Sequence, residues 1–157
     1  MAMNSGRTTA VTLLLAVSAA VLAALPAAAD MRRFRIEGKP INLHSADTKV
    51  VQLDAETFEK TVNDPSKHVF VFFYVTWCDR SCRMFPKWET LAEDMKDVSD
   101  VVFADIDAGL YGDIAERYGV HGFPTLRLFT KGNKEGVVYH GPRDVTALKS
   151  FVKGIVW

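Results

Sequence analysis

Two cysteines, Cys78 and Cys82, stand four residues apart where the apolar run at residues 69–75 gives way to Trp77 and an amphipathic stretch. A cysteine that opens a helix meets unpaired backbone N–H groups and the positive end of the helix dipole, and both favour thiolate over thiol. The thiolate is the nucleophile of thiol–disulfide exchange, so Cys78 is the candidate catalytic residue. Two inert, buried thiols are the alternative reading. Arg80 would stabilise a Cys78 thiolate and Asp79 would oppose it, unless both are solvated residues of an exposed turn. His44, His68, His121 and His140 show no metal-ligand spacing with the cysteines, so no metal is expected. Tyr74, Trp77, Phe85 and Trp88 fit either a peptide-binding surface or a core.

The frame that must hold these residues follows from periodicity. Residues 68–75 are almost continuously apolar and rich in Val and Phe, as a strand buried on both sheet faces requires. Met84, Phe85, Trp88, Leu91, Ala92 and Met95 recur at helical spacing, predicting a helix over 81–95 that Pro86 kinks. A short strand at 50–53 precedes a helix at 55–62 with Asp54 as its N-cap. A strand at 101–106 is followed by a helix at 110–118 that Gly119 stops. Strands at 125–129 and 137–139 form an antiparallel hairpin, and Asp144 caps a last helix to about residue 152. The order βαβαβαββα predicts an α/β domain with a central mixed sheet flanked by helices.

Composition bounds the function. With 157 residues, 48% hydrophobic, and Lys+Arg equal to Asp+Glu at 19 each, the chain suits one globular domain and no nucleic-acid partner. Residues 1–29 read as a secretory signal peptide: Arg7, an apolar run, then Pro26-Ala27-Ala28-Ala29 before Asp30. An uncleaved signal anchor is the other reading of that run, whereas cleavage leaves no stable membrane insertion. Residues 30–49 form an N-terminal extension without an assignable role, and 50–157 the domain. The signal implies the secretory pathway, with the endoplasmic reticulum lumen as the expected location or, because no retrieval tetrapeptide ends the chain, the exterior. Only two cysteines rule out a structural disulfide framework in that compartment, which leaves the thiols for chemistry.

The motif Phe73-Tyr74-Val75-Thr76-Trp77-Cys78 resembles the Phe-Tyr-Ala-Pro-Trp-Cys of the thioredoxin superfamily, and within it a single protein disulfide isomerase domain. The stretch from Ala115 through Val120-His121-Gly122-Phe123-Pro124-Thr125 resembles that family's approach to its cis-proline. The resemblance implies a thioredoxin fold, with the backbone of Phe123 pairing with an extended substrate peptide beside the nucleophile. It also implies client proteins carrying thiols or disulfides as partners, and no cofactor beyond an external thiol such as glutathione.

The active site departs from the family's Cys-X-X-Cys. Counting without gaps from Trp77 to Pro86 places Ser81 at the resolving position and Cys82 one residue later. One residue turns a side chain by about 100° around a helix, so Cys82 should point away from Cys78. A bridge needs Cβ atoms about 3.5–4.5 Å apart, so joining the two would require local unwinding. The family's buried carboxylate is matched by Phe72 and its partner lysine by Asp105, so that ion pair is expected to be absent as a unit. His121 matches an arginine that tunes the resolving cysteine. The expected activity is disulfide exchange through one nucleophile with weak oxidase activity. A non-catalytic chaperone or thiol-mediated retention adaptor is the alternative, and an unusual Cys78–Cys82 redox pair a third reading.

Overall fold

The structure, a computed structural model, describes residues 43–157. The expected signal peptide at 1–29 and most of the extension at 30–49 lie outside the described residues. Strand β2 (His68–Tyr74) is buried along its whole length, as its unbroken apolar sequence requires. It lies between β3 (Val101–Asp107), which runs parallel to it, and β4 (Thr125–Phe129), which runs antiparallel. The short strands β1 (Val51–Leu53) and β5 (Val137–Val138) complete a five-stranded mixed sheet of order β1-β3-β2-β4-β5.

Alternation along β2 divides the apolar material between two cores. Phe70, Phe72 and Tyr74 face Phe85, Trp88 and Leu148, whereas Val69, Val71, Phe73 and Val75 face Phe58, Ile114 and Phe129. The Trp88 ring sits 4.9 Å from Phe70 and 5.7 Å from Phe72, centroid to centroid. Tyr74, Phe85 and Trp88 are therefore core, and of the four aromatics only Trp77 is exposed, at 79%.

The helices are α1 (Phe58–Val62), α2 (Asp79–Cys82), α3 (Phe85–Asp94), α4 (Gly112–Arg117) and α5 (Val145–Val156). The expected kinked helix over 81–95 is two helices instead. The chain turns at Met84, whose N–H donates to Ser81 O at 2.9 Å, and Pro86 falls in the first turn of α3. A proline there costs nothing, because first-turn N–H groups have no intrahelical acceptor. Asp54 caps as expected, its Oδ1 accepting from the backbone N–H of Glu56 (3.0 Å) and Thr57 (2.8 Å), but 55–57 form a turn and helix α1 starts three residues later than expected. Helix α4 is shorter than 110–118, and Gly119 ends it at φ 64°. Helix α5 outruns its expected end at 152, with Asp144 Oδ1 accepting the Ala147 N–H at 2.9 Å as its cap. Among the described residues no helix is long and apolar enough to cross a membrane.

Gly136 turns the β4–β5 hairpin at φ 75°, and a Cβ there would meet Arg127 Cγ and Phe129 Cδ1 at 2.9 Å. Both the left-handed backbone and the contact penalise a side chain, so Gly136→Ala is expected to cost about 1–3 kcal/mol. Urea unfolding checks this: the midpoint should fall with an unchanged slope.

Candidate functional site

The site forms where β2 leaves the sheet. The Cys78 N–H donates to Val75 O at 3.2 Å, turning the chain, and Cys78 is the N-cap of α2 with extended backbone at φ −97° and ψ 111°. Its carbonyl accepts the Cys82 N–H at 3.0 Å, while its side chain stays outside the helix. The thiol pKa is lowered from 9.0. The Ser81 backbone N–H and then the Ser81 hydroxyl contribute most, burial opposes them, and the Arg80 N–H and guanidinium add to them. Ser81 is fully buried, and among the described residues its hydroxyl has no hydrogen-bond partner of ordinary geometry, which leaves it to the Cys78 sulfur. A neutral thiol is a poor acceptor, so this hydroxyl is satisfied only when the sulfur is ionised.

On its other side the Cys78 thiol points at Phe123 O, 3.7 Å away. The Phe123–Pro124 peptide bond is cis, and Thr125 Oγ1 donates back to Gly122 O at 2.7 Å, tying the loop to the start of β4. Cys78 and Phe123 are both partly buried against the same core, with Trp77 exposed beside them. Cys82 belongs to a different environment: it is exposed, its thiol donates to Thr76 O at 3.4 Å, and both cysteines are free. His121 is exposed, and no hydrogen bond or ion pair among the described residues joins it to Cys78. Cys78, Ser81, Arg80, Trp77, Phe123 and Pro124 thus come together, whereas Cys82 and His121 do not join them.

Behind the site, the carboxylate–lysine pair is absent as expected, with Phe72 opposite Asp105, but a different buried pair stands there that the sequence reading missed. Phe72 is a core residue, as its position among Tyr74, Phe85 and Trp88 dictates, but its register partner on β3 is Asp105. Asp105 is fully buried and paired with His44 Nε2, and His44 Nδ1 faces Glu89 Oε1 at 3.2 Å. Burial pulls the His44 pKa down, but the hydrogen bond and charge of Asp105, with Glu89 behind them, outweigh it and leave the value raised. Burial pushes Asp105 up, and His44 offsets only part of that. An aspartate inside the apolar run of β3 is a signal for a hidden partner, since a buried carboxylate without one is costly. That partner lies 61 residues upstream, in the segment without an assignable role.

Residues 49–154 match the thioredoxin family, and the chain belongs to it. The architecture is accordingly the thioredoxin fold, a central mixed sheet flanked by helices. The chain is 43% identical over 115 residues to probable protein disulfide-isomerase A6 of Medicago sativa, covering 73% of this chain and 32% of that protein. Protein disulfide-isomerase A2 of Homo sapiens matches at 38% over 104 residues, 66% of this chain and 19% of its own length. The zinc-bound form of human ERp44 superposes with a TM-score of 0.62 at 31% identity, covering 68% of this chain and 30% of the other. This chain therefore spans 32% or less of the length of these relatives. Among the described residues no group of three or more His, Cys, Asp or Glu could hold a metal ion.

Proposed function

We propose that this chain is a thiol–disulfide exchange domain of the protein disulfide isomerase type that acts through Cys78 alone. The observation that carries the reading is the Cys78 sulfur itself. It is held towards the thiolate by Ser81 and Arg80 and faces the Phe123 carbonyl, while the other sulfur is turned to Thr76. The Cys78 thiolate attacks one sulfur of a client disulfide, forming a mixed disulfide and releasing the client's other sulfur as a thiolate. A client thiolate or an external thiol such as glutathione then attacks the client-side sulfur of the adduct and expels Cys78 as thiolate. Rearrangement by a client thiol involves no net oxidation, so one cysteine suffices for isomerisation, whereas oxidising a dithiol needs a second.

Phe123 and Pro124 align the client strand beside the sulfur, and Trp77 supplies exposed apolar surface next to it. The likeness to protein disulfide isomerases supports clients that carry thiols or disulfides. The signal-like residues 1–29, followed by an extension at 30–49 and the domain at 50–157, support a secretory-pathway location in the endoplasmic reticulum lumen.

Partner trapping with wild type, Cys78→Ser and Cys82→Ser tests this reading. The Cys82→Ser variant should capture the same mixed disulfides as wild type and Cys78→Ser none. Capture that needs Cys82, or a wild-type protein two mass units lighter with both thiols blocked, would overturn it. Turnover of a disulfide-scrambled substrate with glutathione present separates an isomerase from a retention adaptor, which stops after one adduct.

A further inference from the structure

We infer that the cleft at Arg80, two residues along the chain from Cys78, is a subsite for acidic residues of the client polypeptide, a deepening that rests on the exchange activity proposed above. The cleft is shallow and open to solvent, has a volume of about 210 Å³ and is lined by Arg80, Arg83, Met84, Lys87 and Arg143. Four cations share it and no carboxylate lines it, in a chain whose charges balance at 19 of each sign. The segregation is therefore local, not a by-product of a basic protein.

Two stretches of chain build the walls. Arg80 lies in α2, Arg83 is its C-cap and Lys87 lies in the first turn of α3, so one wall runs across the turn between the two helices. Arg143 comes from the loop before α5, and the Lys87 ammonium donates to its carbonyl at 3.2 Å, tying the walls together. Met84, only 3% exposed, is the apolar floor. The nearby acids do not fill the cleft. Asp79 reaches Arg83 at 3.5 Å in a solvent-exposed pair of little strength, and Asp144 is engaged in capping α5. Neither Arg80 nor Arg143 forms an ion pair among the described residues.

Arg80 links the cleft to the chemistry: it lines the cleft and stands in α2, two residues from Cys78 at that helix's N-cap. A carboxylate bound here is thus held close to the reacting residue. Guanidinium forks take carboxylates in paired hydrogen bonds, and like charges crowded in a cleft raise the local concentration of an oppositely charged substrate. Four cationic side chains on one cleft offer more donors than a single carboxylate can engage. The occupant is therefore a short acidic run adjoining the client cysteine, longer than a single small thiol would need.

The test measures the second-order rate at which full-length protein attacks peptide–thiopyridyl disulfides whose residues beside the cysteine are acidic, neutral or basic. The acidic peptide should react about 10-fold faster than the neutral one at low salt and the basic peptide more slowly still. The ranking should collapse near 1 M salt, where screening reaches about 3 Å. Arg83→Glu with Lys87→Glu should invert the ranking, and Arg143→Glu, from the other wall, should flatten it. The uncharged reagent dithiodipyridine should react equally with all variants. Failure of that reagent to react at Cys78 would sink the exchange reading itself. Normal reaction with it but equal rates for the three peptides would sink only the cleft. Charge reversal that slows glutathione disulfide and leaves the peptide ranking intact would also refute the cleft, by assigning the cations to the small thiol.

Discussion

Ser81→Cys is expected to speed the release of clients from Cys78 by at least about 100-fold, because it supplies from within what an external thiol must otherwise provide. Ser81 is fully buried, and its N–H and hydroxyl are the two groups that act most strongly on the Cys78 sulfur. A sulfur replacing that hydroxyl lies beside the mixed disulfide before any diffusion takes place. Oriented groups reach effective concentrations of about 10⁵ M, against which millimolar external thiol is dilute, so even poor alignment leaves a large gain. The cost is small, since the exchange is one of similar volume at a site where, among the described residues, the hydroxyl lacks any other partner. Release of a preformed client adduct, followed by intact mass without added thiol, measures the effect. The product should be two mass units lighter, with Cys78 bridged to the introduced thiol. Insulin reduction should rise in parallel, whereas Cys82→Ser should change neither, because its sulfur is turned to Thr76. An unchanged release rate with no new bridge would mean that position 81 does not face the sulfur, and the one-nucleophile reading would lose its geometric basis.

The parts of this site that sequence reveals are those set by local pattern. The apolar run of β2 can only be a strand buried on both faces, and it delivers Cys78 to the start of a helix whatever surrounds it. The order of elements then limits the sheet to a parallel set closed by an antiparallel hairpin. Helix ends are less legible, because they depend on single hydrogen bonds. The turn at Met84 interrupts a stretch whose apolar spacing is continuous, and the turn at 55–57 that Asp54 caps precedes α1 without belonging to it. Contacts between distant segments are invisible to spacing altogether. Arg143 meets Lys87 across 56 residues, so the basic cleft has no signature in either segment alone. The same holds for Asp105: as a departure from a family pattern it reads as a loss, and only the fold brings His44 to it.

That pair sets the second large effect. His44→Ala is expected to cost about 3–5 kcal/mol at neutral pH, the usual penalty for removing one partner of a buried ion pair. Asp105 is fully buried, and among the described residues its Oδ1 has no hydrogen-bond partner. Without His44 the carboxylate must take up a proton or remain charged in an apolar setting, so the cost depends on pH. Its folded pKa, already raised above 3.8, rises further, and the folded state then binds a proton that the unfolded chain has released. Stability is therefore fully present below 3.8 and is lost as pH rises through that folded value. The variant should lie nearest to wild type in acid and diverge from it towards neutrality. In the wild type, His44 carries the same sign in a higher window. With its folded pKa above 6.5, its contribution is complete below 6.5 and declines as pH rises through the folded value. Adding Asp105→Leu to His44→Ala should recover much of the loss and flatten its pH dependence, because well-packed apolar groups often replace a buried pair at no net cost. Urea titrations of the wild type and both variants between pH 4 and 9 read all of this, with Cys78→Ser throughout to remove the opposing titration of the thiol. A His44→Ala penalty that is the same in acid and at neutrality, or a double variant no more stable than the single, would show that the segment around His44 is held by packing and not by its charge.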